Sequence, residues 1–347
     1  MKNETFVSEL AAATRAGKLS ISCILPAYNE SESLPALLTQ LSEELAQHSD
    51  DWEIVVVNDG SSDDTLARLT AHAAHDDRLV IVSLSRNFGH QAAITAAFDY
   101  VSGDVTIVMD GDLQDPPELI PELLALYASG NDVVYARRKS RKEPWWLRAS
   151  YFLFYRILDR LSTIRLPLDS GDFGLLSRRV IDELRRMPER HRFLRGMRTW
   201  VGFRQTAISV DRDARVAGES KYSFGKLLGL AFDGVFAFSI VPIRAAVLVG
   251  TFVIVLSSAF GAYAVWAKFF LHRSPVGFTA LTLLITFLSG VQLFFLGVIG
   301  EYVGRVYEQS KGRPIYIVDE VIGRPSSPRL DDEFRSTRLP VSSPHAG

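Results

Sequence analysis

Asp110 and Asp112, separated by one glycine, are the residues of this sequence with the clearest capacity for chemistry. They follow the apolar run Val105–Met109, which predicts a buried β-strand. In an extended segment residues i and i+2 point the same way, so the two carboxylates are expected to converge. Converging carboxylates need a cation between them, and Mg²⁺ or Mn²⁺ bridging to a diphosphate is the usual solution. The pattern therefore predicts a divalent metal site, whose shell Gln114 and Asp115 would complete.

A third aspartate, Asp59, follows the predicted strand Glu53–Val57 within the segment NDGSSDDT. Its carboxylate can accept hydrogen bonds from a base or a ribose, although turn formation is the simpler role. The segment Pro26–Glu30 (PAYNE), at the end of the first predicted strand, is placed to wall a base pocket. The sequence has no GxGxxG after that strand and no GxxxxGK[ST], which disfavours a Rossmann dehydrogenase and a P-loop NTPase.

Alternating strands and helices must position these polar residues. The predicted strands are Leu19–Leu25, Glu53–Val57, Leu79–Leu84 and Val105–Met109, and the predicted helices are Glu32–Gln47, Asp63–Ala74, Gln91–Tyr100 and Glu118–Tyr127. Ser62 or Asp63 would cap the second helix. This order predicts βαβ units in an α/β, doubly wound, mostly parallel sheet. Ligands bind such sheets at the carboxyl ends of the strands, which is where the acidic residues lie.

The charges of the chain are unevenly distributed. The net charge is −2, but residues 1–115 carry 6 basic and 19 acidic side chains, and residues 116–244 carry 23 basic and 14 acidic ones. This division indicates one part that handles metal or sugar and another that faces anionic lipid or phosphate. No zinc spacing or recognition-helix pattern favours nucleic acid as a partner. The single cysteine, Cys23, fits a reducing compartment, and the polar N-terminus does not resemble a signal peptide.

Two charge-free segments predict a membrane hairpin. Ala245–Ala267 and Phe278–Gly300 are each 23 residues long, enough to span hydrocarbon at about 1.5 Å per residue. We assign transmembrane helices to residues 241–271 and 278–304. The basic residues flanking the pair are Lys226, Arg244, Arg305, Lys311 and Arg313, against Lys268 and Arg273 at the turn. The positive-inside rule then places the catalytic body and the C-terminus in the cytoplasm, on a multi-pass protein of the cytoplasmic membrane.

The remaining chain divides by composition. Residues 1–19 are expected to form an N-terminal tail, 20–222 the catalytic domain, 223–240 a juxtamembrane amphipathic helix and 305–347 a cytoplasmic tail with a disordered, Pro/Ser-rich end. The aromatic stretch at about 144–161 is predicted to be a helix in the membrane interface, with core packing as the alternative. Arg178–Arg198 holds eight arginines, which indicates a solvated helical surface or an anchor for lipid headgroups.

Several motifs together resemble a known family. PAYNE, NDGSSDDT and MDGDLQDPPE, in this order and spacing, are similar to the family 2 glycosyltransferases with a GT-A fold. SGDFGL, RVAGESKYSF, Pro242–Arg244 and GEYVGRVYEQSKGRPI resemble the polyprenyl-phosphate glycosyltransferases, which include dolichol-phosphate mannose synthases and bacterial bactoprenol glucosyltransferases. The resemblance extends from about residue 20 to residue 318, and the two-span C-terminus matches the bacterial type best.

The resemblance implies roles for individual residues. Nucleotide-sugar contacts fall on Pro26, Tyr28, Glu30, Asp59, Asp110, Asp112 and Gln114, of which the last three would also hold Mg²⁺ or Mn²⁺. Acceptor-phosphate contacts fall on Arg137, Arg148 and Lys221, with Ser220 and Tyr222 at the membrane-side rim. Arginine suits that role because it binds phosphate oxygens in a bidentate way. Asp172, in SGDFGL, falls where the family places a base, and Asp112 is the second residue expected to be catalytic.

The implied reaction is inverting transfer of a sugar from a nucleotide diphosphate donor to a polyprenyl phosphate. By resemblance the donor is UDP-glucose and the acceptor undecaprenyl phosphate, with mannose and a formamido-arabinose as alternative sugars. A lipid phosphate is already anionic at neutral pH, so its attack needs little deprotonation. Asp172 is therefore expected to orient the acceptor or the sugar if it does not act as the base. Rival interpretations are a processive polysaccharide synthase, whose QxxRW motif Arg195–Trp200 only partly matches, and a non-catalytic membrane scaffold. A homo-oligomer, a tetramer by analogy, is also implied.

Overall fold

The computed structural model describes residues 19–138, 170–190, 192–210, 241–270 and 277–323. These residues belong to two units. The first, the catalytic unit, contains the described residues up to 210 together with those from Pro314 onward. The second contains two long helices. The predicted interfacial helix at 144–161 and the predicted amphipathic helix at 223–240 lie outside the described residues, as does most of the N-terminal tail.

The catalytic unit is built on one eight-stranded sheet with the order β7-β5-β6-β4-β1-β2-β3-β8. Its strands are β1 Ile21–Ala27, β2 Trp52–Asn58, β3 Leu79–Leu84, β4 Val105–Val108, β5 Val133–Arg138, β6 Ser170–Ser177, β7 Gln205–Val210 and β8 Val318–Ile322. Four of the seven pairings are parallel, including those that join β4, β1, β2 and β3. This confirms the predicted α/β class with a mostly parallel sheet.

Helices cover the sheet, and the first four lie where the sequence predicts them. They are α1 Leu34–Ala46, α2 Thr65–Ala73, α3 His90–Tyr100, α4 Ile120–Ala128, α5 Arg178–Arg186 and α6 Leu194–Trp200, with a 3₁₀ turn at Pro117–Leu119 before α4. Every residue of β1 and β2 is buried, as expected for parallel strands that are covered on both faces. Helix α1 buries five leucines at helical spacing, and each contributes about 1.5–3 kcal/mol of transfer free energy.

In the catalytic unit, the ends of the predicted strands and helices differ from the observed ends by at most two residues. Strand β1 runs on through Pro26 because β4 ends at Val108, opposite Ile24, and so offers no partner for the N–H that proline lacks. Helix α2 begins at Thr65, and Asp64 directly before it makes no side-chain cap. Asp63 Oδ1 instead accepts the backbone N–H of Thr65 at 3.0 Å, so the predicted capping residue serves the helix from one position further back.

The arginine-rich segment 178–198 is only in part the solvated surface expected from its composition. Arg185 is only 11% exposed and donates from Nε to the Phe98 carbonyl at 2.7 Å and from Nη2 to the Val101 carbonyl at 2.9 Å. Arg198 is 5% exposed and lies 4.7 Å from the ring centroid of Tyr135. Arg198 Nη1 also donates to the Gly171 carbonyl at 3.2 Å. Arg179 and Arg186 of α5, by contrast, are 61% and 69% exposed, so only some of the arginines bind carbonyls inside the fold.

Two apolar helices form the second unit. They are α7 Val241–Phe270 and α8 Phe278–Ser310, close to the predicted spans 241–271 and 278–304. By length and composition both suffice to cross a bilayer, and the apolar windows Ala246–Tyr263 and Phe287–Ser310 are 0% buried. Large apolar side chains such as Leu248 and Phe294 are 71% and 66% exposed, a surface that is stable in lipid but not in water.

The chain returns to the catalytic unit after α8. Residues 305–347, which are expected from sequence to form a tail, include the end of α8 at Ser310 and the strand β8 at residues 318–322. Strand β8 pairs antiparallel with β3, from Ile81↔Ile322 to Leu84↔Val318. The five-residue strand has no strong period-two pattern in sequence, and its pairing partner lies more than 200 residues earlier in the chain. Only the folded chain therefore reveals it.

Candidate active site at the carboxyl ends of the strands

The loops after β1 and β2 are joined by hydrogen bonds into one wall. Asn29 adopts a φ of +56°, which asparagine tolerates better than most residues. Its Oδ1 accepts the Ser62 N–H at 2.8 Å, and its own N–H donates to Ser61 Oγ at 3.0 Å. The Glu30 N–H donates to Thr65 Oγ1 at 3.0 Å. The PAYNE and NDGSSDDT segments are thus one structural unit, and their joint role in a base pocket stays a prediction.

Asp59 fixes a third loop, the one that follows β3. The side chain is 3% exposed, with Oδ1 accepting the Phe88 N–H at 2.7 Å and Oδ2 accepting the Gly89 N–H at 2.9 Å. Burial raises the pKa of Asp59, and these two donors oppose the shift. Gly60 beside it has φ +63°, and a Cβ there would lie 2.4 Å from the Arg86 carbonyl carbon, so only glycine permits this approach. Each carboxylate oxygen retains capacity for a further donor, and contact with a nucleoside stays a prediction.

Glu30 connects the first loop to the Asp110–Asp112 turn. Its Oε2 accepts from Ser33 Oγ at 2.8 Å, and the same hydroxyl lies 2.9 Å from the Gly111 carbonyl. Burial raises the pKa of Glu30 against the effect of the Ser33 bond, and the negative charge of Asp112 adds to the rise. Tyr28 of the same segment is 47% exposed, whereas Pro26 is buried within β1.

The Asp110–Asp112 pair lies in a turn, not in an extended segment. Strand β4 ends at Val108, and Leu113 has φ +59°. Asp112 Oδ1 accepts the Gln114 N–H at 3.1 Å, and the fully buried Asp115 accepts the Asp110 N–H at 3.3 Å. Strand alternation is therefore the wrong reason for the two side chains to approach, because the turn sets their positions.

Asp110 is nonetheless crowded by negative charge. Its pKa is raised to about 6, first by burial and then by Asp115, with Asp172 and Asp112 adding to the rise against the effect of His90. Hard carboxylate oxygens under mutual repulsion suit a divalent cation such as Mg²⁺ or Mn²⁺. Among the described residues no group of three or more His, Cys, Asp or Glu side chains is arranged to hold a metal unaided. The residues fit a site of the kind in which one or two carboxylates and substrate phosphates share the ion.

Asp172 lies on β6 and is held by a paired arginine. Arg195 donates from Nε to Oδ1 at 2.8 Å and from Nη2 to Oδ2 at 3.0 Å. Gln91 Nε2 and His90 Nε2 each lie 3.4 Å from Oδ2. The side chain is 10% exposed, and burial alone would raise its pKa. The hydrogen bond from His90 and the charge of Arg195 outweigh burial and hold the pKa of Asp172 well below its usual range.

His90 joins the two carboxylate groups and is the main residue that sequence reasoning missed. Its Nε2 lies 3.7 Å from Asp110 Oδ1 as well as 3.4 Å from Asp172 Oδ2. Burial acts to lower the pKa of His90, but the bond to Asp172 and the charge of Asp110 raise it overall. The sequence does contain a signal for this residue, because Gly89-His90-Gln91 follows the end of the third predicted strand. That strand end has no acidic side chain, so it was not among the predicted site residues.

Arg137 is the one predicted acceptor-phosphate residue that the structure describes. It is exposed near the end of β5 and pairs in register with Ser170 of β6, two residues before Asp172. Arg148 and Lys221 lie outside the described residues, as do Ser220 and Tyr222. The loops and strand ends thus bring together the predicted donor-side residues and Asp172, and they add His90, Gln91 and Arg195.

Known proteins are similar in sequence to this chain over most of its length. A profile for glycosyl transferase family 2 matches residues 22–185. An uncharacterized glycosyltransferase of Synechocystis sp. is 41% identical over 306 residues, covering 88% of this chain and 96% of the relative. The bactoprenol glucosyl transferase of Shigella phage SfV is 38% identical over 301 residues, covering 86% of this chain and 98% of the relative. A prophage bactoprenol glucosyl transferase homolog of Escherichia coli K12 is 36% identical and is covered over 99% of its length.

Solved structures include a more distant likeness. Glucosyl-3-phosphoglycerate synthase from Mycobacterium tuberculosis, in complex with Mn²⁺, UDP-glucose and phosphoglyceric acid, is 21% identical. The alignment covers 66% of this chain and 81% of that chain, with a TM-score of 0.45.

Proposed function

Because the chain belongs to glycosyltransferase family 2, we propose that it transfers glucose from UDP-glucose to undecaprenyl phosphate, with inversion, at the cytoplasmic face of a membrane. Relatives named as bactoprenol glucosyl transferases support the sugar and the lipid, since they align over 97–99% of their own length and so include the two apolar helices. The observation that carries the proposal is the crowding of carboxylates around Asp110, opposite an Asp172 whose charge is fully paired.

On the donor side, Asp110, Asp112 and Gln114 would hold Mg²⁺ or Mn²⁺. When bound, the ion neutralises the charge that develops on the departing nucleoside diphosphate. The joined loops of β1 and β2 supply Pro26, Tyr28, Glu30 and Asp59 to the nucleoside. Asp59 also has a structural role, because it accepts the N–H groups of Phe88 and Gly89 and so fixes the loop that leads into His90.

On the acceptor side, little proton transfer is required. An oxygen of the lipid phosphate forms a bond to the anomeric carbon while the bond from that carbon to the diphosphate oxygen breaks, and this single displacement inverts the centre. The attacking oxygen is already anionic at neutral pH. A carboxylate whose pKa is held so low is a weak base, so we assign Asp172 to orienting a substrate. Arg137, with Arg148 and Lys221, would bind the acceptor phosphate.

The path of the chain supports a membrane location with the site in the cytoplasm. The chain leaves the catalytic unit before α7 and rejoins it at Pro314, so both ends of the helical pair connect to one soluble unit. A two-helix hairpin that spans the bilayer satisfies this constraint, and the basic residues around it favour the cytoplasmic side. The homotetramer implied by resemblance stays a prediction.

Transfer to lipid tests the proposal directly. The detergent-purified chain is incubated with undecaprenyl phosphate and radiolabelled UDP-glucose, GDP-mannose or a UDP-formamido-arabinose, with Mg²⁺, Mn²⁺ or EDTA. We expect metal-dependent label in the lipid phase from UDP-glucose, and none with Asp112→Asn. Label from another donor alone would overturn the choice of glucose, label that grows into a polymer would favour a processive synthase, and no label from any donor would overturn the reaction.

The acceptor assignment has a separate test. Arg137→Ala should raise the KM for undecaprenyl phosphate about tenfold or more while the KM for the donor stays the same, because a charge-assisted bidentate contact is lost. Arg186→Ala is the matched control, because the Arg186 side chain is 69% exposed on α5 and pairs with Glu183 at 2.7 Å. An unchanged acceptor KM in Arg137→Ala would count against its role.

A further inference from the structure

Residues Pro314–Gly323, which we call the strap, follow the helical pair. The strap makes hydrogen bonds to the rest of the catalytic unit at two places. At the first place β8 pairs with β3, and the Ser85 N–H donates to the Ile317 carbonyl at 3.0 Å, just beyond the end of β3. At the second place the Tyr316 hydroxyl donates to Asp99 Oδ2 at 2.5 Å. Asp99 lies in the last turn of α3, so the strap holds both β3 and the far end of α3.

The residues between these two places are the ones that organise the active site. Phe88 and Gly89 donate their backbone N–H groups to Asp59. His90 lies between Asp110 and Asp172, and Gln91 contacts Asp172 through Nε2 and accepts the Leu194 N–H at 2.9 Å through Oε1. The loop at 86–89 and the first turn of α3 therefore have one end fixed beside Ser85 and the other fixed through α3.

Helix α3 can transmit position from Asp99 to His90. It has 11 residues, about 16 Å at 1.5 Å per residue, and its residues from Ala92 to Phe98 are buried. Two residues hold its C-terminal end. Tyr316 binds Asp99, and Arg185 binds the Phe98 carbonyl and lies 3.9 Å from Asp99 Oδ1. A packed helix moves as a rigid body, so a shift at Asp99 displaces His90 and Gln91.

Covering a sheet edge explains only part of the strap. An antiparallel strand beside β3 protects that edge from unwanted pairing. The Tyr316–Asp99 bond lies off the sheet, on a helix, and contributes nothing to edge protection. The half-buried Tyr316 side chain sits among residues of α3 and of the segment after α5, with Thr95, Phe98, Met187 and Pro188 beside it.

We propose that the strap positions the active-site loop, with Tyr316 as a positioning residue that acts on His90 and Gln91 through Asp99 and α3. The strap follows directly from the second apolar helix, so the chain that would anchor the enzyme in the bilayer also sets the groups around Asp172. The catalytic consequence rests on the proposed function, whereas the structural coupling does not.

Hydrogen exchange tests the coupling without reference to any substrate. Tyr316→Phe removes one hydroxyl from the full-length chain, and peptides covering residues 86–91 are followed by mass spectrometry. We expect about tenfold faster exchange there, as for the loss of a hydrogen bond to a charged group. Asp319→Asn, an exposed change on β8, is the control. Exchange equal to that of the control would overturn the proposal. Asp99→Ala, which removes the acceptor, replaces Tyr316→Phe if the latter fails to fold.

A double-mutant cycle in kcat tests the path of action. Tyr316→Phe should lower kcat about three- to tenfold in the wild-type background and far less in His90→Ala, because the two changes act on the same group. Equal effects in both backgrounds, or faster exchange without any loss of kcat, would overturn the positioning role. If the wild-type chain transfers no sugar, the proposed function fails, and the exchange result still decides whether the strap fixes the loop.

Discussion

Asp110 and Asp172 lie within reach of the same histidine, His90, yet their pKa values shift in opposite directions. Burial and three neighbouring carboxylates raise the pKa of Asp110, whereas Arg195 and His90 hold that of Asp172 low despite burial. Pairs of titratable groups whose environments diverge in this way mark different chemical roles. Asp110 is an oxygen donor crowded by other carboxylates, and Asp172 is a permanently ionised anchor.

Asp110→Asn should therefore stabilise the metal-free protein while abolishing transfer. The pKa of about 6 exceeds the unfolded value, so the folded state loses stability as pH rises from 4 through 6, and asparagine removes that loss. We expect about 1–2 kcal/mol of added stability at pH 7.5, vanishing near pH 4. Thermal unfolding in EDTA measures it, with the exposed Asp64→Asn as control. Equal melting of variant and wild type at pH 7.5 would contradict the charge crowding.

Arg195→Gln should destabilise the protein in a way that depends on pH. The depressed pKa of Asp172 contributes stability above the unfolded value, near 4, and that stability is lost as pH falls toward the folded value. Because the Arg195 side chain is 38% exposed, we expect a discounted cost of about 1–2 kcal/mol at pH 7. The difference from wild type should narrow as pH falls toward 3. Denaturant unfolding at both pH values, beside the exposed control Arg204→Gln, checks it, and a cost independent of pH would exclude this linkage.

At the scale of elements, α3 is the part of the fold on which the site depends most. It begins with His90 and Gln91, and its end is bound by side chains of α5 and the strap. The arginines of α5 that composition assigns to a surface are in fact divided, since Arg185 points into the fold while Arg186 is 69% exposed.

Substitution of Arg185 and Arg186 in turn compares the stability cost of losing a buried arginine with that of losing an exposed one. Arg185→Met should cost about 2–3 kcal/mol, because it leaves the Phe98 carbonyl without its arginine donor and removes one of the two arginine donors of the Val101 carbonyl, the other being Arg178 Nη1 at 2.9 Å. Arg186→Met should fall within about 0.5 kcal/mol of wild type, as for an exposed i,i+3 ion pair. Thermal unfolding in detergent measures both variants. Similar costs for the two would mean that α5 does not present Arg185 to α3 as described.

At the scale of the whole molecule, the chain that leaves the catalytic unit for two apolar helices comes back to it as β8. This arrangement puts the turn between the helices opposite the catalytic unit if the pair spans a bilayer. Cys23 makes the topology easy to test. It is the single cysteine of the chain, it is 0% exposed, and burial raises the pKa of its thiol to about 12, so it is inert to maleimides.

Single introduced cysteines should then report orientation without background. In right-side-out vesicles, Ser274→Cys in the connection between the helices should react with a membrane-impermeant maleimide. Glu320→Cys, exposed on β8, should react only after permeabilisation. The opposite pattern would reverse the proposed orientation, and labelling of both positions in intact vesicles would contradict a spanning hairpin.

Much of the catalytic unit follows from local sequence. Leu34, Leu37, Leu38, Leu41 and Leu45 recur at helical spacing and are buried together in α1. The apolar runs of β1 to β4 lie where they were predicted, and the acidic residues after them meet at one edge because parallel strands share their direction. Length and absence of charge likewise identify α7 and α8 without any tertiary information.

The sequence by itself determined the strands and helices, through hydrophobic periodicity and turn residues. It also determined the polar strand ends and the two apolar spans, through residue chemistry. Only the tertiary structure decided which distant side chains meet. Asp172 pairs with Arg195 across 23 positions, and Tyr316 reaches Asp99 across 217. Hydrophobic spacing acts over one or two turns of chain, so it records which face of an element is buried. A charge pair or an added strand depends on the path between elements, and no local pattern records that path.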